Sequence, residues 1–374
     1  MSAAPRKRVL IVDDSAVMRS LLRSVVSSDS ALEVVGTAAD GRSALGIVPS
    51  LRPDLIVLDV EMPVMDGVVA LRKLRESGNH VPVIMCSSLT QRGARVTIDA
   101  LACGASDYVT KPAGTNGVDA STRILARDLL PRIHALTTAI PDAFASATRT
   151  VRQGQARSDN AASACDPEVI VIGVSTGGPA ALDLLLPSLP STFPLPLLVV
   201  QHMPELFTRQ LAARLDQHCA LRVREAADGD AVAAGTIYIA RGNWHLKVVA
   251  DQRAKSSRKL QLAQSAEVNH CRPAVDVLFR SAVDLYGASV IAVVLTGMGS
   301  DGLAGARAVR TAGGIVLAQD QATSAVWGMP GAVAGAGLAN RVLPLEAIAP
   351  EILKIVENPS PSAAQHLITK AAVS

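Results

Sequence analysis

Residues 9–15 read VLIVDDS, an apolar strand-type run that ends on two adjacent carboxylates. Further runs of this type follow over the first 110 residues: EVVGTA at 33–38, LIVL at 55–58, VPVIMC at 81–86 and DYVT at 107–110. The segments between them carry apolar residues at helical spacing. Strands that alternate with helices predict an α/β fold with a parallel sheet covered on both faces. In such folds, functional side chains lie at the carboxyl ends of the strands.

The composition narrows the class of protein. The 374 residues are 49% hydrophobic but only 2% aromatic, and the net charge is +3. Few aromatic side chains and no basic patch argue against nucleic-acid binding. No apolar run is long enough to span a bilayer, so we expect no direct membrane insertion. The five cysteines are scattered without a CxxC pair, which favours free thiols over a disulfide frame or a zinc site and predicts a cytoplasmic protein.

Composition also divides the chain into segments. The first α/β block and its flanks cover 1–137, and a small, polar stretch at 138–166 is expected to be an interdomain linker. A second block of strand-type runs covers 167–355, for which we expect a doubly wound, mostly parallel α/β domain. Residues 356–374 are expected to be a disordered tail.

Charged side chains follow several strands of the first block. Asp13 and Asp14 follow the first strand and Asp59 follows the third. Converging carboxylates repel each other unless a cation lies among them, and Mg²⁺ prefers oxygen ligands. Asp59 would then attack phosphorus to form an acyl phosphate, with Lys111 and the Ser87 hydroxyl contacting the phosphoryl oxygens. Taken singly, each residue has a structural interpretation, because paired aspartates often cap helices and a lone lysine is usually solvated.

The motifs VLIVDDS, LIVLDVEMPVMDG, VIMCSS and GASDYVTKP resemble the response-regulator receiver family over about residues 7–127. The resemblance implies a flavodoxin-like domain in which Asp59 is the phosphoacceptor and a histidine kinase is the phosphodonor. It also implies a Mg²⁺ site formed by Asp13, Asp14, Asp59 and the backbone carbonyl of Glu61.

The same resemblance implies the parts of a switch. The switch hydroxyl would be Ser87, the switch aromatic Tyr108 and the phosphate-pairing lysine Lys111. The Lys111–Pro112 peptide would be cis.

A Gly-x-Ser-x-Gly pattern centred on Ser175 follows the first strand of the second block. Glycines at 173 and 177 permit a tight strand-to-helix turn that exposes the Ser175 hydroxyl. The N–H groups of the following helix would place a positive end near the reacting centre. On its own, the Gly-x-Ser-x-Gly pattern is weak evidence for a nucleophilic serine, because Gly-Ser turns also bind phosphate groups.

A nucleophilic serine needs a base and an orienting carboxylate. His202 follows the buried-type strand LPLLVVQ at 195–201, and Asp301 lies in the glycine-rich loop TGMGSDG at 296–302. Both should reach the sheet edge that carries Ser175, which predicts a Ser–His–Asp relay. Alone, His202 is more often a structural hydrogen-bonding residue, and Asp301 could cap a helix. The chain order differs from the Ser–Asp–His order of α/β-hydrolases, so that fold is not implied.

The second block resembles the catalytic domain of chemotaxis protein-glutamate methylesterases through IGVSTGGP, VVQHMPELFT, GTIYIARGNWHL, RPAVDVLF, VVLTGMGSDG and WGMPGAV. The resemblance implies Ser175 as nucleophile, His202 as general base and acid, and Asp301 as orienting carboxylate. Thr176 and the Met298 backbone would lie beside the reacting carbonyl. One departure is Cys271, which stands where the family usually has a histidine before Arg-Pro.

The expected substrates are methylated glutamates in the cytoplasmic domains of chemoreceptors. Receptor glutamines would be deamidated by the same acyl-enzyme, and ester hydrolysis would need no cofactor. We expect the unphosphorylated receiver to pack over the Ser175 cleft and phosphorylation of Asp59 to loosen that contact. The alternative is a non-enzymatic receiver-type signalling adaptor. A transcription factor is disfavoured because the second half contains no compact basic helical domain.

Overall fold

The computed structural model describes residues 5–112, 117–137, 166–251 and 257–357. Apart from Asp166, the expected linker lies outside the described residues. The expected start of the tail at 356 is wrong, because Val356 and Glu357 are the last residues of a helix, and the rest of the expected tail lies outside the described residues. Among the described residues, no helix combines the length and apolar character needed to cross a membrane.

The strands of the first unit form a five-stranded parallel sheet in the order β2-β1-β3-β4-β5. They are β1 (Lys7–Val12), β2 (Leu32–Ala38), β3 (Leu55–Asp59), β4 (Val83–Ser87) and β5 (Asp107–Thr110). The helices are α1 (Ala16–Ser27), α2 (Gly41–Leu51), α3 (Gly67–Glu76), α4 (Gln91–Ala102) and α5 (Gly117–Thr137). This order confirms the predicted flavodoxin-like fold, whose strand order reverses between β1 and β3.

Short polar side chains fix where four of these helices begin. Each cap accepts a hydrogen bond from a backbone N–H in the first helical turn, which stabilises that end of the helix. The caps are Ser15 to Met18 N at 3.3 Å, Asp40 to Ser43 N at 2.9 Å, Asp66 to Val69 N at 2.8 Å and Thr90 to Gly93 N at 3.0 Å. Since Ser15 caps α1, the Asp13 and Asp14 carboxylates do not perform that task.

The second unit is built on a seven-stranded parallel sheet in the order β14-β13-β12-β6-β7-β9-β8. Its strands are β6 (Val169–Val174), β7 (Leu197–Gln201), β8 (Arg222–Glu225), β9 (Thr236–Ile239), β12 (Val290–Val294), β13 (Ile315–Gln319) and β14 (Arg341–Leu343). An antiparallel pair stands apart from it, formed by β10 (His245–Ala250) and β11 (Arg258–Ala263). The mostly parallel prediction is confirmed.

Helices cover this sheet as predicted. They are α6 (Gly178–Leu185), α7 (Glu205–His218), α8 (Val275–Tyr286), α9 (Leu303–Thr311), α10 (Met329–Gly335) and α11 (Leu345–Glu357). The strand next in sequence after β6 lies on one side of it, and β12 lies on the other. The strand order therefore reverses at β6, and a crevice is expected at the carboxyl ends of the strands flanking that point.

The two units pack against each other at this crevice. The ring of Tyr108 on β5 stacks on Phe207 of α7, with centroids 4.5 Å apart and planes 18° from parallel. The Thr176 hydroxyl, next to Ser175, donates a 2.7 Å hydrogen bond to the buried Asp107 carboxylate. The first two residues of β5 thus contact the second unit, and the predicted packing of the receiver over the Ser175 cleft is present.

An ion pair reinforces this interface. Arg214 of α7 lies 3.2 Å from Asp99 of α4 and 3.2 Å from Asp183 of α6. Both contacts remain partly open to solvent, and pairs of that kind contribute at most about 1 kcal/mol each. Stacking and the buried hydrogen bond therefore account for more of the contact than these charges do.

Candidate active site and phosphoacceptor site

The predicted charged residues of the first unit meet at one edge of its sheet. Lys111 Nζ lies 2.8 Å from Asp13 Oδ2 and 2.8 Å from Asp59 Oδ2. Asp13 and Asp59 are buried, whereas Asp14 is exposed. One carboxylate oxygen from each of the three aspartates lies within 4.8 Å of the others.

Electrostatics make this cluster receptive to a cation. Burial, with a smaller contribution from the Asp13 charge, raises the pKa of Asp59 to about 6 against the opposing effect of Lys111. Burial alone would lower the pKa of Lys111, but its contacts with both carboxylates raise it. Carboxylate oxygens are the ligands that Mg²⁺ prefers, so the donor set fits that ion.

A cavity of about 120 Å³ opens beside these side chains, and Glu61 and Ser88 also line it. The Glu61 carboxylate pairs with Arg92, 3.1 Å away. Ser87 is fully buried and donates to the Ser88 carbonyl at 3.3 Å. The hydroxyl-bearing residue on the cavity wall is therefore Ser88, which the sequence analysis missed although it directly follows Ser87.

The remaining predictions for the switch concern the Tyr108 ring and the Lys111–Pro112 peptide bond. Tyr108 is buried in its stack with Phe207 rather than free at the surface. The expectation of a cis Lys111–Pro112 peptide is wrong, because within the described residues the cis bond is Arg272–Pro273.

The strand-to-helix turn at Ser175 has a clear packing basis. Ser175 N donates to the Thr296 carbonyl at 3.0 Å, and the Ser175 carbonyl accepts from Gly178 N at 2.8 Å. Gly177 has a φ of 77°, a backbone conformation that glycine adopts without strain. A Cβ at Gly173 would lie 2.3 Å from a methyl group of Val275, so only glycine fits there.

His202 and Asp301 form a direct pair. His202 Nε2 lies 2.9 Å from Asp301 Oδ2. Asp301 is almost fully buried and accepts further hydrogen bonds from the backbone N–H groups of Val275, Asp276 and Gly302 at 2.7, 3.1 and 3.0 Å. Burial would raise its pKa, but the bonds to His202 and to these donors lower it. Asp301 is thus held as a carboxylate that orients the imidazole.

The second ring nitrogen of His202 faces the cleft. Its Nδ1 lies 3.7 Å from Cys271 Sγ. Because Nε2 bonds to a carboxylate, the neutral ring carries its proton there and its lone pair on Nδ1. Burial opposes the imidazolium, but Asp301 and Cys271 outweigh it and raise the pKa of His202 to about 9.

Ser175 shares this cleft without yet bonding to the imidazole. Within the described ranges, no hydrogen bond joins its hydroxyl to His202. Both residues line a cavity of about 710 Å³, together with Thr176 and Met298. The structure therefore brings Ser175 and His202 to one cleft, with the buried Asp301 bonded directly to the imidazole. Hydrogen bonds of catalytic groups are often long before substrate binds.

Several supporting residues escaped sequence analysis. Asn269 Nδ2 lies 2.9 Å from both Asp301 and Asp276, and Gln201 Nε2 donates to the Ser175 carbonyl at 3.0 Å. Gln201 carried a signal, since it is the polar end of an otherwise apolar strand. Asn269 carried none, because it lies in a loop and has a φ of 54°.

Comparison with known proteins finds a matching family for each of the two units. Residues 9–123 match the family model of the response regulator receiver domain, and residues 170–352 match that of the CheB methylesterase. A protein-glutamate methylesterase/protein-glutamine glutaminase of Nocardioides sp. is 51% identical over 368 residues, covering 96% of this chain and 98% of that protein. One from Trichodesmium erythraeum is 44% identical, covering 94% and 99%.

A solved structure is also similar. It is the crystal structure of the Thermotoga maritima CheB methylesterase catalytic domain, which is 45% identical with a TM-score of 0.49 and covers 51% of this chain and 98% of that one. On the extent and identity of the two full-length relatives, the chain belongs to the CheB methylesterase family, with a response regulator receiver domain joined to the methylesterase domain.

Proposed function

We propose that this chain is a phosphorylation-controlled serine hydrolase that removes methyl groups from glutamate methyl esters in the cytoplasmic domains of chemoreceptors. The observation that best supports this proposal is the 2.9 Å contact between His202 Nε2 and Asp301 Oδ2, next to the cleft that His202 and Ser175 both line. The names of the two relatives support the substrate class, and they support deamidation of receptor glutamines as a second reaction.

Ester hydrolysis follows from the roles that the site supports. The Ser175 hydroxyl attacks the ester carbonyl while His202 Nδ1 takes its proton, and Asp301 stabilises the imidazolium. The oxyanion forms beside Thr176 and the Met298 backbone, where main-chain N–H groups would stabilise it. His202 returns the proton to the leaving methoxide, and methanol departs. Water, activated by the same imidazole, then cleaves the glutamyl-serine ester. With glutamine the leaving group is ammonia, and neither reaction needs a cofactor.

The receiver site supports phosphoryl transfer from a histidine kinase to Asp59. Asp13, Asp14, Asp59 and the Glu61 carbonyl would hold Mg²⁺, which when bound neutralises charge on the phosphoryl group. Lys111 would leave its two carboxylates to pair with the new dianion. Because Lys111 follows β5, whose Asp107 and Tyr108 contact the catalytic unit, this shift acts on a strand at the interface.

The proposed division of the chain is the one that the sequence predicted. Residues 1–137 form the receiver, 138–166 the linker and 167–355 the catalytic domain, and the protein acts in the cytoplasm. The two sheets, one on each side of residues 138–166, support this division.

Replacement of the nucleophile tests the catalytic assignment. We expect Ser175→Ala to lower the rate of methanol release from methylated receptor by about 10⁴-fold or more, because the covalent step is lost. Ser188→Ala is the matched control, since Ser188 is exposed at the end of a 3-10 turn and its side chain hydrogen-bonds only to the Leu184 carbonyl among the described residues. Equal rates for Ser175→Ala and wild type would reject the nucleophile.

The non-enzymatic adaptor makes a different prediction. A serine-directed phosphonate or fluorophosphonate probe should label Ser175 in the hydrolase, because His202 activates its hydroxyl. An adaptor in which Ser175, His202 and Asp301 are structural would remain unlabelled.

A further inference from the structure

Cys271 lies against His202, the base of the proposed relay, and the proposed steps of ester hydrolysis assign it no bond and no proton transfer. Its Sγ is 3.7 Å from His202 Nδ1. One ligating atom each from Cys271, His202 and Asp301 lies within 4.8 Å of the other two. Thiolate and imidazole are the ligands that zinc(II) favours, in contrast to the all-oxygen cluster around Asp59.

The separation of the two atoms suits one bridging ion. Zinc binds sulfur at about 2.3 Å and imidazole nitrogen at about 2.0–2.1 Å with tetrahedral angles, which places those two ligand atoms about 3.6 Å apart. The measured distance is 3.7 Å. An ion can therefore enter between Cys271 and His202 with little movement of either side chain.

Asp301 prepares the imidazole for this bond. It accepts from His202 Nε2, so the lone pair of the neutral ring lies on Nδ1, which is the atom beside the thiol. A carboxylate on the far nitrogen is the usual support of a zinc-binding histidine. Its oxygens already accept hydrogen bonds from three backbone N–H groups and Asn269, so Asp301 stays outside the coordination sphere.

The loop that carries the thiol is held in place. Cys271 and Val268 exchange two backbone hydrogen bonds of 3.0 and 3.1 Å across a tight turn. The neighbouring Arg272 guanidinium donates to Asn243 Oδ1 at 2.7 Å and to the Ser265 carbonyl at 2.9 Å. Its hydrogen bonds are therefore made to these two residues and not to Cys271. Both Cys271 and His202 line the 710 Å³ cleft, from which water can complete the coordination.

We propose that Cys271 Sγ and His202 Nδ1 form an inhibitory zinc(II) site in the hydrolase cleft. Binding releases the thiol proton and, where the imidazole is protonated, its Nδ1 proton to solvent, and forms one Zn–S and one Zn–N bond with no change of oxidation state. The Nδ1 lone pair is then unavailable to Ser175, so zinc and ester hydrolysis are mutually exclusive. Because the thiol must lose its proton and the imidazole must be neutral, zinc affinity rises with pH.

The test uses the full chain in excess Mg²⁺, which saturates the oxygen cluster of the receiver. Zinc binding is measured by competition with a chromophoric chelator, and cobalt(II) is added separately to look for thiolate-to-metal charge-transfer absorption. We expect one zinc per chain and the charge-transfer band in wild type and in Ser175→Ala, which needs no activity to report binding. With free zinc at about ten times its dissociation constant, the wild-type rate should fall about tenfold.

Cys271→Ser is the decisive variant and Cys103→Ser, a partly exposed cysteine of the receiver, is its control. Cys271→Ser should lose the charge-transfer band. Its rate of ester hydrolysis should be the same with that concentration of zinc as without zinc. Cys103→Ser should behave as wild type. Absence of zinc binding in wild type, or equal binding and inhibition in Cys271→Ser, overturns the proposal. The binding readouts decide this even if the natural substrate differs from the one proposed.

Discussion

At the scale of single residues, His202 is the group on which most of the chemistry depends. Its pKa of about 9 reflects two neighbours, Asp301 and Cys271, that outweigh the effect of burial. A protonated imidazole cannot accept the Ser175 proton, so the raised pKa favours hydrolysis at higher pH.

The pH dependence follows with a definite sign. In wild type, kcat/KM should rise as pH increases toward about 9, with the imidazole titrating on that limb. In Cys271→Ser the limb should move to lower pH, because a contact that favours the imidazolium is removed. A pH–rate profile of both proteins measures this. Superimposable limbs would show that Cys271 does not act on His202.

The same shift affects the stability of the folded protein. A raised folded-state pKa means that the folded form binds the proton more tightly than the unfolded form. The contribution of His202 is therefore fully present below the ordinary histidine pKa of 6.5 and is lost as pH rises through its folded-state pKa of about 9. Between about pH 6.5 and pH 9, a rise in pH therefore lowers this contribution to stability while it raises the hydrolysis rate.

At the scale of elements, the strand β6 and the turn after it decide where the nucleophile lies. Gly173 of this strand packs against Val275 of α8, and Val275 also donates its N–H to Asp301. Val275 therefore packs against the strand that leads to Ser175 and also helps to orient the Asp301 carboxylate.

Substitution of this glycine tests that packing. A Cβ at Gly173 would lie 2.3 Å from Val275 Cγ1, so Gly173→Ala should lower the free energy of unfolding by about 1–3 kcal/mol and reduce the hydrolysis rate. Gly46→Ala is the matched control. Gly46 is exposed within α2 with nothing within 4 Å of a Cβ, so alanine there should be neutral or stabilising by up to about 1 kcal/mol. Chemical denaturation of both variants measures the difference, and equal effects would contradict the account.

Much of the element pattern was predictable because each functional side chain ends an apolar run. Asp13, Asp59, Ser175 and His202 all follow buried strands, and strand ends of a parallel sheet share one edge. β11 was missed because its sequence RKLQLA mixes charged and apolar residues, and β14 because it has only three residues.

The parts that sequence could not predict depend on contacts between distant loops. Cys271 meets His202 across 69 residues, and Asn269 reaches Asp301 across 32. Scattered cysteines without a CxxC pair gave no sign that Cys271 lies beside His202, because the two residues belong to separate loops. Ser87 and Ser88 are neighbours, so which of them lines the cavity depends on a backbone turn after β4.

At the scale of the whole molecule, the receiver lies over the cleft that holds the proposed nucleophile. Asp107 accepts from Thr176, the residue after Ser175, and Tyr108 stacks on Phe207. The phosphoacceptor cluster is connected to these contacts through β5, since Lys111 directly follows that strand. Control of the hydrolase therefore requires the contact between receiver and cleft to change when Asp59 is phosphorylated.

Methanol release from methylated receptor, by the full chain with and without a small phosphodonor and Mg²⁺, tests the central claim most directly. We predict a low basal rate that rises with the phosphodonor in wild type and in the exposed-site control Glu76→Gln. The rise should be absent in Asp59→Asn, and both rates should be absent in Ser175→Ala. A phosphodonor response that survives in Asp59→Asn, or methanol release that survives in Ser175→Ala, would contradict the account.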